Sequence, residues 1–275
     1  MGSEVRDISL DTFPEVWGMF KTMCGYPIAT GSRGKVVIIS NTFLDSGVLA
    51  YRPGNEIDQR LLACVLKYFG FEVEQHTDVS DTEMRDIMER VASQDHSQYD
   101  SFVCCILSHG RQGKVYGNNG KAVPIEDLTS AMKPQYCPSL AGKPKLFFVQ
   151  ACQGNDKQKG FRPMDAEDID VSTGRAEPTL IPEDSDFLLS YSTVPGYESY
   201  RSPSSGSVFI QTLAVGLMKY GHRFDIQEIL LAVNNSVASL DILQADGRVY
   251  KQSPAFFSTL RKKFFFKRPL PFTTT

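Results

Sequence analysis

Four uninterrupted apolar runs constrain this chain most: Val36–Ile39, Phe102–Leu107, Leu146–Val149 and Phe187–Leu189. A strand with one face in water alternates apolar and polar residues, whereas a run with no polar member is buried on both faces, as in a parallel sheet. Helical stripes separate and follow these runs. Ile57, Leu61, Leu62, Val65, Leu66 and Phe69 form one, with Gly70 as its stop. Met84, Ile87, Met88 and Val91 form another, with Asp81 as its cap. Phe71–His76 alternates like a short strand, and Ile125–Met132 reads as a short helix. Beyond Leu189, Phe209, Leu213, Leu217 and Tyr220 mark one helix. Ile226, Ile229, Leu230, Val233 and Val237 mark the next, and Phe256–Phe266 reads as the last element. Strands alternating with helical stripes specify an α/β fold, a mainly parallel central sheet with helices on both faces.

The 275 residues, 41% of them hydrophobic, suffice for one substantial core, and a net charge of −3 points to neither nucleic acid nor an anionic membrane surface as partner. No apolar run is long enough to span a bilayer. The N-terminus is acidic and lacks the apolar core of a secretory signal. Met1-Gly2-Ser3 reads either as the start of a myristoylation motif or as a cloning remnant. The six cysteines are irregularly spaced, without a paired C-x₂-C set. That argues for a reduced, cytoplasmic protein without a structural zinc site. Residues 1–34 show little periodicity and read as an arm. Residues 155–185 are rich in Gly, Pro and acids, and divide the chain into 35–154 and 186–275.

The chemistry centres on Cys152, at the carboxyl end of the Leu146–Val149 run within Gln-Ala-Cys-Gln-Gly. In open α/β sheets ligands gather at that rim. A thiol attacks only as thiolate, so it needs a base or a positive neighbour. His109 sits beyond the end of the Phe102–Leu107 run, 43 residues before Cys152. Parallel strands put both on one rim. His76 follows a shorter strand and competes for the role, while His96 and His222 lie in polar surroundings and read as solvated. Gly110 follows His109, and glycine there lets a backbone N–H approach a substrate oxygen.

The blocks Ser108-His109-Gly110, Gln150-Ala-Cys-Gln-Gly154, Tyr200-Arg201 and Phe209-Ile-Gln211 together resemble the caspase family over residues 35–266. CCILSHG, CPSLAGKPKLFFVQACQG, IPEDSDFLL and TLRKKFFF are most similar to the initiator group of caspase-8, whereas YSTVPGY at 191–197 is executioner-like. The resemblance implies an aspartate-specific cysteine endopeptidase, acting in apoptotic signalling by activating other caspases and processing itself. It implies Cys152 as nucleophile, His109 as proton carrier, and the N–H groups of Gly110 and Cys152 as the oxyanion hole. Arg52, followed at R-x-G-x-x-x-D spacing by Asp58, would join Gln150 and Arg201 in a pocket for the substrate's P1 aspartate. Ser199, Tyr200, Ser202 and Val208 would line the groove beyond it. A buried carboxylate independently demands charge-assisted donors, which two arginines and an amide supply.

The same resemblance divides the chain into an N-terminal arm or prodomain remnant (1–34), a large-subunit part (35–154), an intersubunit linker (155–185) and a small-subunit part (186–275). Asp165, Asp168 and Asp170 in the linker are the expected processing sites. The partners implied are protein substrates, a second copy in a homodimer of large/small pairs, and an activating adaptor platform, with no cofactor or metal. With no death-effector domains in view, the chain reads as a catalytic portion or a member with a short prodomain. Val208 stands where most caspases carry Trp, which predicts a wider subsite for the P4 side chain. Two other readings are a heterodimerising regulator with little catalysis and an inflammatory-type caspase. A relative cutting after basic residues would need an acid-lined pocket, which Arg52 and Arg201 oppose.

Overall fold

The computed structural model describes residues 25–28, 32–158, 184–244 and 247–268. Strand and helix alternate as the apolar runs require: β1 (Gly34–Ser40), α1 (Asn55–Tyr68), β2 (Phe71–Thr77), α2 (Asp81–Ala92) and β3 (Ser101–Leu107). Three short strands follow, β4 (Gly110–Arg111), β5 (Lys114–Tyr116) and β6 (Ala122–Pro124), then α3 (Ile125–Ser130), β7 (Lys145–Gln150) and β8 (Phe187–Tyr191). The remainder holds the pair β9 (Arg201–Ser202) and β10 (Gly206–Ser207), then α4 (Val208–Tyr220) and α5 (Ile226–Ser239). The pair β11 (Ile242–Leu243) and β12 (Val249–Tyr250) and the strand β13 (Ala255–Ser258) close it.

Six strands form one sheet in the order β13-β8-β7-β3-β1-β2. All pairs are parallel except β13 against β8. Successive side chains of a strand face opposite ways, so the continuous apolar runs feed two cores. Val36, Ile38, Val103, Cys105, Leu146 and Phe148 meet α1, α4 and α5 on one face. Val37, Ile39, Cys104, Ile106, Phe147 and Val149 meet α2 and α3 on the other. The expected α/β architecture is therefore present.

Several local expectations are corrected. Ser80, not Asp81, caps α2. Its hydroxyl accepts from the Glu83 N–H while the Glu83 carboxylate accepts from the Ser80 N–H, a reciprocal box that makes Asp81 the first helical residue. The Ile125 helix ends at Ser130, two residues early. His96 is fully buried rather than solvated, its Nε2 2.8 Å from the Val91 carbonyl oxygen. The stretch 256–266 is not one element. β13 ends at Ser258, Phe257 is 62% exposed on the sheet edge, and Phe264 and Phe266 turn back into the core with α4 and α5. The small sheet β4-β5-β6 was not anticipated from the sequence. Its two- and three-residue strands are too short to carry a period.

Candidate active site

Strand register sets the site. Leu107 of β3 pairs with Gln150 of β7. His109 and Cys152 each lie two residues beyond that pair, so they leave adjacent strands at the same height on the carboxyl rim. Gly110 packs against the second strand so closely that a Cβ there would stand 2.7 Å from the Cys152 carbonyl oxygen and 2.9 Å from the Ala151 Cβ. No other residue fits without displacing backbone. His76 lies on the far edge strand and pairs with Glu74 at 2.7 Å, remote from Cys152.

Two contacts orient His109. Its Nε2 is 2.7 Å from the Ala50 carbonyl oxygen, an acceptor, which makes Nε2 the protonated nitrogen and leaves Nδ1 with the lone pair. The Phe43 ring stands 4.9 Å away, centroid to centroid. Phe43 is held by Asp78, which accepts from the N–H groups of Thr42 and Phe43 at 2.6 and 3.0 Å. Burial lowers the His109 pKa, and the positive Arg52 and Arg201 lower it further against the opposing bond to Ala50. The ring is therefore neutral near pH 7 and able to take a proton. Cys152 is half-buried, and the Ser199 N–H donates to its Sγ at 3.4 Å.

The two arginines play unequal parts. Arg52, 2% exposed, is held at both terminal nitrogens: Nη1 donates to the Asn41 carbonyl at 3.2 Å and to the Asn55 side chain, and Nη2 to the Gln150 carbonyl at 3.4 Å. Arg201 donates its Nε to the Pro53 carbonyl at 2.8 Å, and its terminal nitrogens make no hydrogen bond among the described residues. Burial depresses both guanidinium pKa values, Arg52 the more strongly, and Arg201 depresses it further. Gln150 Nε2 donates to Ser199 Oγ at 2.7 Å, while its Oε1 is buried without a partner. A half-turn of that amide lets Ser199 donate to Oε1 and frees Nε2 as a donor. Desolvated positive charge with unused donors is a recess for a carboxylate.

The walls are braced from both halves of the chain. Buried Asp58 accepts from the Ser207 N–H at 2.8 Å and from its hydroxyl, which ties α1 to the start of α4. Gly206 sits there at φ 86, where a Cβ would stand 2.3 Å from the Asp58 carboxylate. Tyr200 is 8% exposed, and its N–H donates to the Gln252 side chain at 2.8 Å. Ser202 packs under Gly54, whose Cβ would meet the Ser202 carbonyl oxygen at 2.4 Å. Thus Arg52, His109, Gly110, Gln150, Cys152, Ser199, Tyr200, Arg201 and Ser202 converge on one rim. Val208 opens α4 beside them but rests half-buried on the α1/α4/α5 core. Asp165, Asp168 and Asp170 lie outside the described residues. Sequence reasoning missed Ala50, which contributes only a main-chain carbonyl. It also missed Phe43 and Asn55, whose roles depend on how the loop after β1 folds.

Such a rim has the parts of a thiol hydrolase with an acid-accepting recess. A caspase-domain family model matches residues 33–265, and the chain belongs to that family, the aspartate-specific cysteine endopeptidases. It is 37% identical to caspase-3 of Oryctolagus cuniculus over 245 residues, covering 88% of this chain and 86% of that protein. It is 41% identical to caspase-8 of Mus musculus over 224 residues, covering 78% of this chain and 45% of that protein. Caspase-7 of Gallus gallus is 37% identical over 238 residues, covering 85% and 77%.

Proposed function

We propose that Cys152 attacks the carbonyl after a substrate aspartate, with His109 receiving the thiol proton and returning it to the leaving amine. The N–H groups of Gly110 and Cys152 take the oxyanion, and water then hydrolyses the thioester. Arg52 forms the fixed floor of the P1 pocket, and Arg201 and Gln150 supply the donors that close on the carboxylate. Tyr200, Ser202 and Val208 face the residues before P1. The observation that carries this reading is the Leu107–Gln150 register, which puts His109 and Cys152 level on adjacent strands.

Within the cell the enzyme acts in apoptosis, in the cytoplasm, as a zymogen whose linker 155–185 separates the large and small subunits. Cleavage falls first at Asp170, where Glu167-Asp168-Ile169-Asp170 offers the better site, with Asp165 the runner-up. The active form is a twofold dimer paired through the uncovered edge of β13, where Phe257 is exposed, and an adaptor platform brings copies together. The initiator reading rests on the blocks shared with caspase-8, and the executioner-like YSTVPGY segment stands against it. Cys152→Ala is expected to abolish turnover, and replacing P1 Asp by Asn to cost about 10³-fold or more by leaving buried charge unpaired. Near-normal activity in Cys152→Ala, or equal use of Asp and Asn, would refute the assignment.

A further inference from the structure

The Gly110 and Cys152 N–H groups stand on different elements. Cys152 follows β7, whereas Gly110 opens the hairpin of β4 and β5. The pairing of β3 with β7 ends at Leu107 and Gln150, and the Ser108 N–H donates to the Gln150 carbonyl at 3.2 Å just beyond it. Past that bond, among the described residues, no main-chain hydrogen bond joins residues 110–116 to residues 151–154. The sheet therefore sets the level of the two donors on the rim but not the gap between them.

The side chain of Gln153, a residue only 3% exposed, crosses that gap. Its Oε1 accepts from the Gly113 N–H at 3.1 Å, at the turn of the hairpin, and its Nε2 donates to the Cys152 carbonyl at 3.2 Å. The Gly113 N–H can only donate, which fixes the way round the amide lies. The base of the side chain is fixed as well. The Gln153 N–H donates to the Tyr197 carbonyl at 2.9 Å, and the Gly196 N–H donates to the Gln153 carbonyl at 2.7 Å.

The Cys152 carbonyl oxygen that Gln153 binds is also the atom that a Cβ on Gly110 would meet at 2.7 Å. Gly110, that carbonyl and the Gln153 amide thus form one packed stack. Gly113 is held from its other side too, its carbonyl accepting from the Ile125 N–H at 2.9 Å at the start of α3. A buried amide with both ends bonded holds a length, which an apolar side chain of equal volume does not. Effective oxyanion donors stand about 2.7–3.1 Å from the charge they take, so a shift of a few tenths of an ångström is felt.

We propose that Gln153 is a positioning residue for catalysis, its amide setting the separation of the Gly110 and Cys152 N–H groups. The inference rests on the oxyanion role given above to those two groups. Gln153→Leu fills nearly the same space without either bond. It should lower kcat by about ten- to a hundredfold with KM little changed. Gln153→Glu still accepts from Gly113 and should lose less. Alkylation of Cys152 by iodoacetamide, followed by mass spectrometry, is the control. There the thiolate displaces iodide at a saturated carbon and no oxyanion forms, so the rate should hold in both variants. Gly110→Ala, which pushes the hairpin off Cys152, should lose kcat with alkylation likewise unchanged. An alkylation rate that falls in step with kcat would place the defect in the thiol and overturn the proposal. So would a glutamate variant no better than the leucine one, which would detach Gly113 from the effect. Normal kcat in Gln153→Leu beside a lowered kcat in Gly110→Ala would overturn it while leaving the oxyanion reading in place. Normal kcat in both would overturn the oxyanion reading and the proposal together.

Discussion

His109 Nε2 stands 2.7 Å from the carbonyl oxygen of Ala50, while the Phe43 ring packs 4.9 Å from the imidazole on another side. One contact fixes the tautomer and the other restrains the tilt of the ring before substrate arrives. Phe43 is a positioning residue in this arrangement. Phe43→Leu keeps an apolar filler but removes the ring. It should lower kcat by about ten- to a hundredfold with KM little changed, since a misplacement of about 1 Å costs that much. Steady-state kinetics decide it, and a change confined to KM would contradict the positioning role.

Arg52 and Arg201 should separate under the same conservative change. Arg52→Lys strands the Asn41 and Gln150 carbonyls and the Asn55 side chain without donors in a buried place. It should cost about 1–3 kcal/mol of stability as well as activity. Arg201 spends only its Nε on the fold, so Arg201→Lys should lower kcat/KM for P1 Asp substrates by about 10²-fold or more while Tm barely moves. Urea unfolding of both variants beside their kinetics checks the contrast. Equal destabilisation would mean that the two arginines share one role.

The parallel sheet and the shared rim of Cys152 and His109 were legible because both follow from strand periodicity. An apolar run buried on both faces specifies a parallel strand, and the residue after it falls on the rim. The convergence of Arg52 and Arg201 was legible only through their blocks, since no period positions a loop arginine. His96 misled for a different reason. Its neighbours Asp95, Ser97 and Gln98 are polar, but the chain turns its ring inward against Phe102 and onto the Val91 carbonyl. A fold decides that, not local composition. The Phe256–Phe266 stretch likewise holds two destinations, an edge strand and a core return, that its composition alone does not separate.

His96 and His109 together set an acid limit. Burial is the leading cause of the lowered pKa in both, and the Nδ1 of His96 is buried without a partner. Above about pH 6.5 each is neutral in both the folded and unfolded states, so its contribution is intact. As pH falls below 6.5 the unfolded chain takes up protons that the folded one refuses, and stability is lost. His96→Gln should remove part of that loss, read as a smaller drop in the urea midpoint between pH 6.5 and 5. For His109 the ring titration by NMR should lie below the usual histidine value and rise in Arg201→Gln. An unmoved midpoint would show that the arginine is not felt there.

Lys145 has the same sign in a separate, alkaline window. It is fully buried at the start of β7, donating to the Leu140 and Lys143 carbonyls at 3.3 and 2.8 Å, with Nζ 4.7 Å from the centre of the Phe187 ring. Burial pushes its pKa down to about 8, against the partial support of Asp186. Between pH 8 and 10.5 the unfolded state holds the proton that the folded state has released, so stability rises with pH across that range, by about 3 kcal/mol if the whole shift is expressed. Lys145→Met should flatten that slope. Urea midpoints of parent and variant at pH 7.5 and 10 supply the comparison, and an unchanged slope would assign the dependence to other groups.

Val208 carries the last prediction. It opens α4 directly after Ser207, whose bonds to Asp58 fix the backbone at that point, so a side chain there has a set origin. Val208 lies half-buried against the α1/α4/α5 core instead of standing up as a broad wall. Ser202, short and half-buried, also offers less reach toward an acidic P4 group than an Asn would. On the P4 role proposed for these two residues, substrates with bulky P4 side chains should be used better than those with Asp. Val208→Trp, too large for the space the valine fills, should project over the groove and narrow it. A size change in one apolar pocket is worth about 1–3 kcal/mol, so selectivity should shift by about 10- to 200-fold in kcat/KM. Trp-Glu-His-Asp, Leu-Glu-Thr-Asp and Asp-Glu-Val-Asp substrates, run on the parent and on Val208→Trp, measure it. If the parent cuts Asp-Glu-Val-Asp best and the tryptophan leaves use of the Trp-Glu-His-Asp substrate undiminished, the loop between β9 and β10 has closed the subsite and Val208 does not set it.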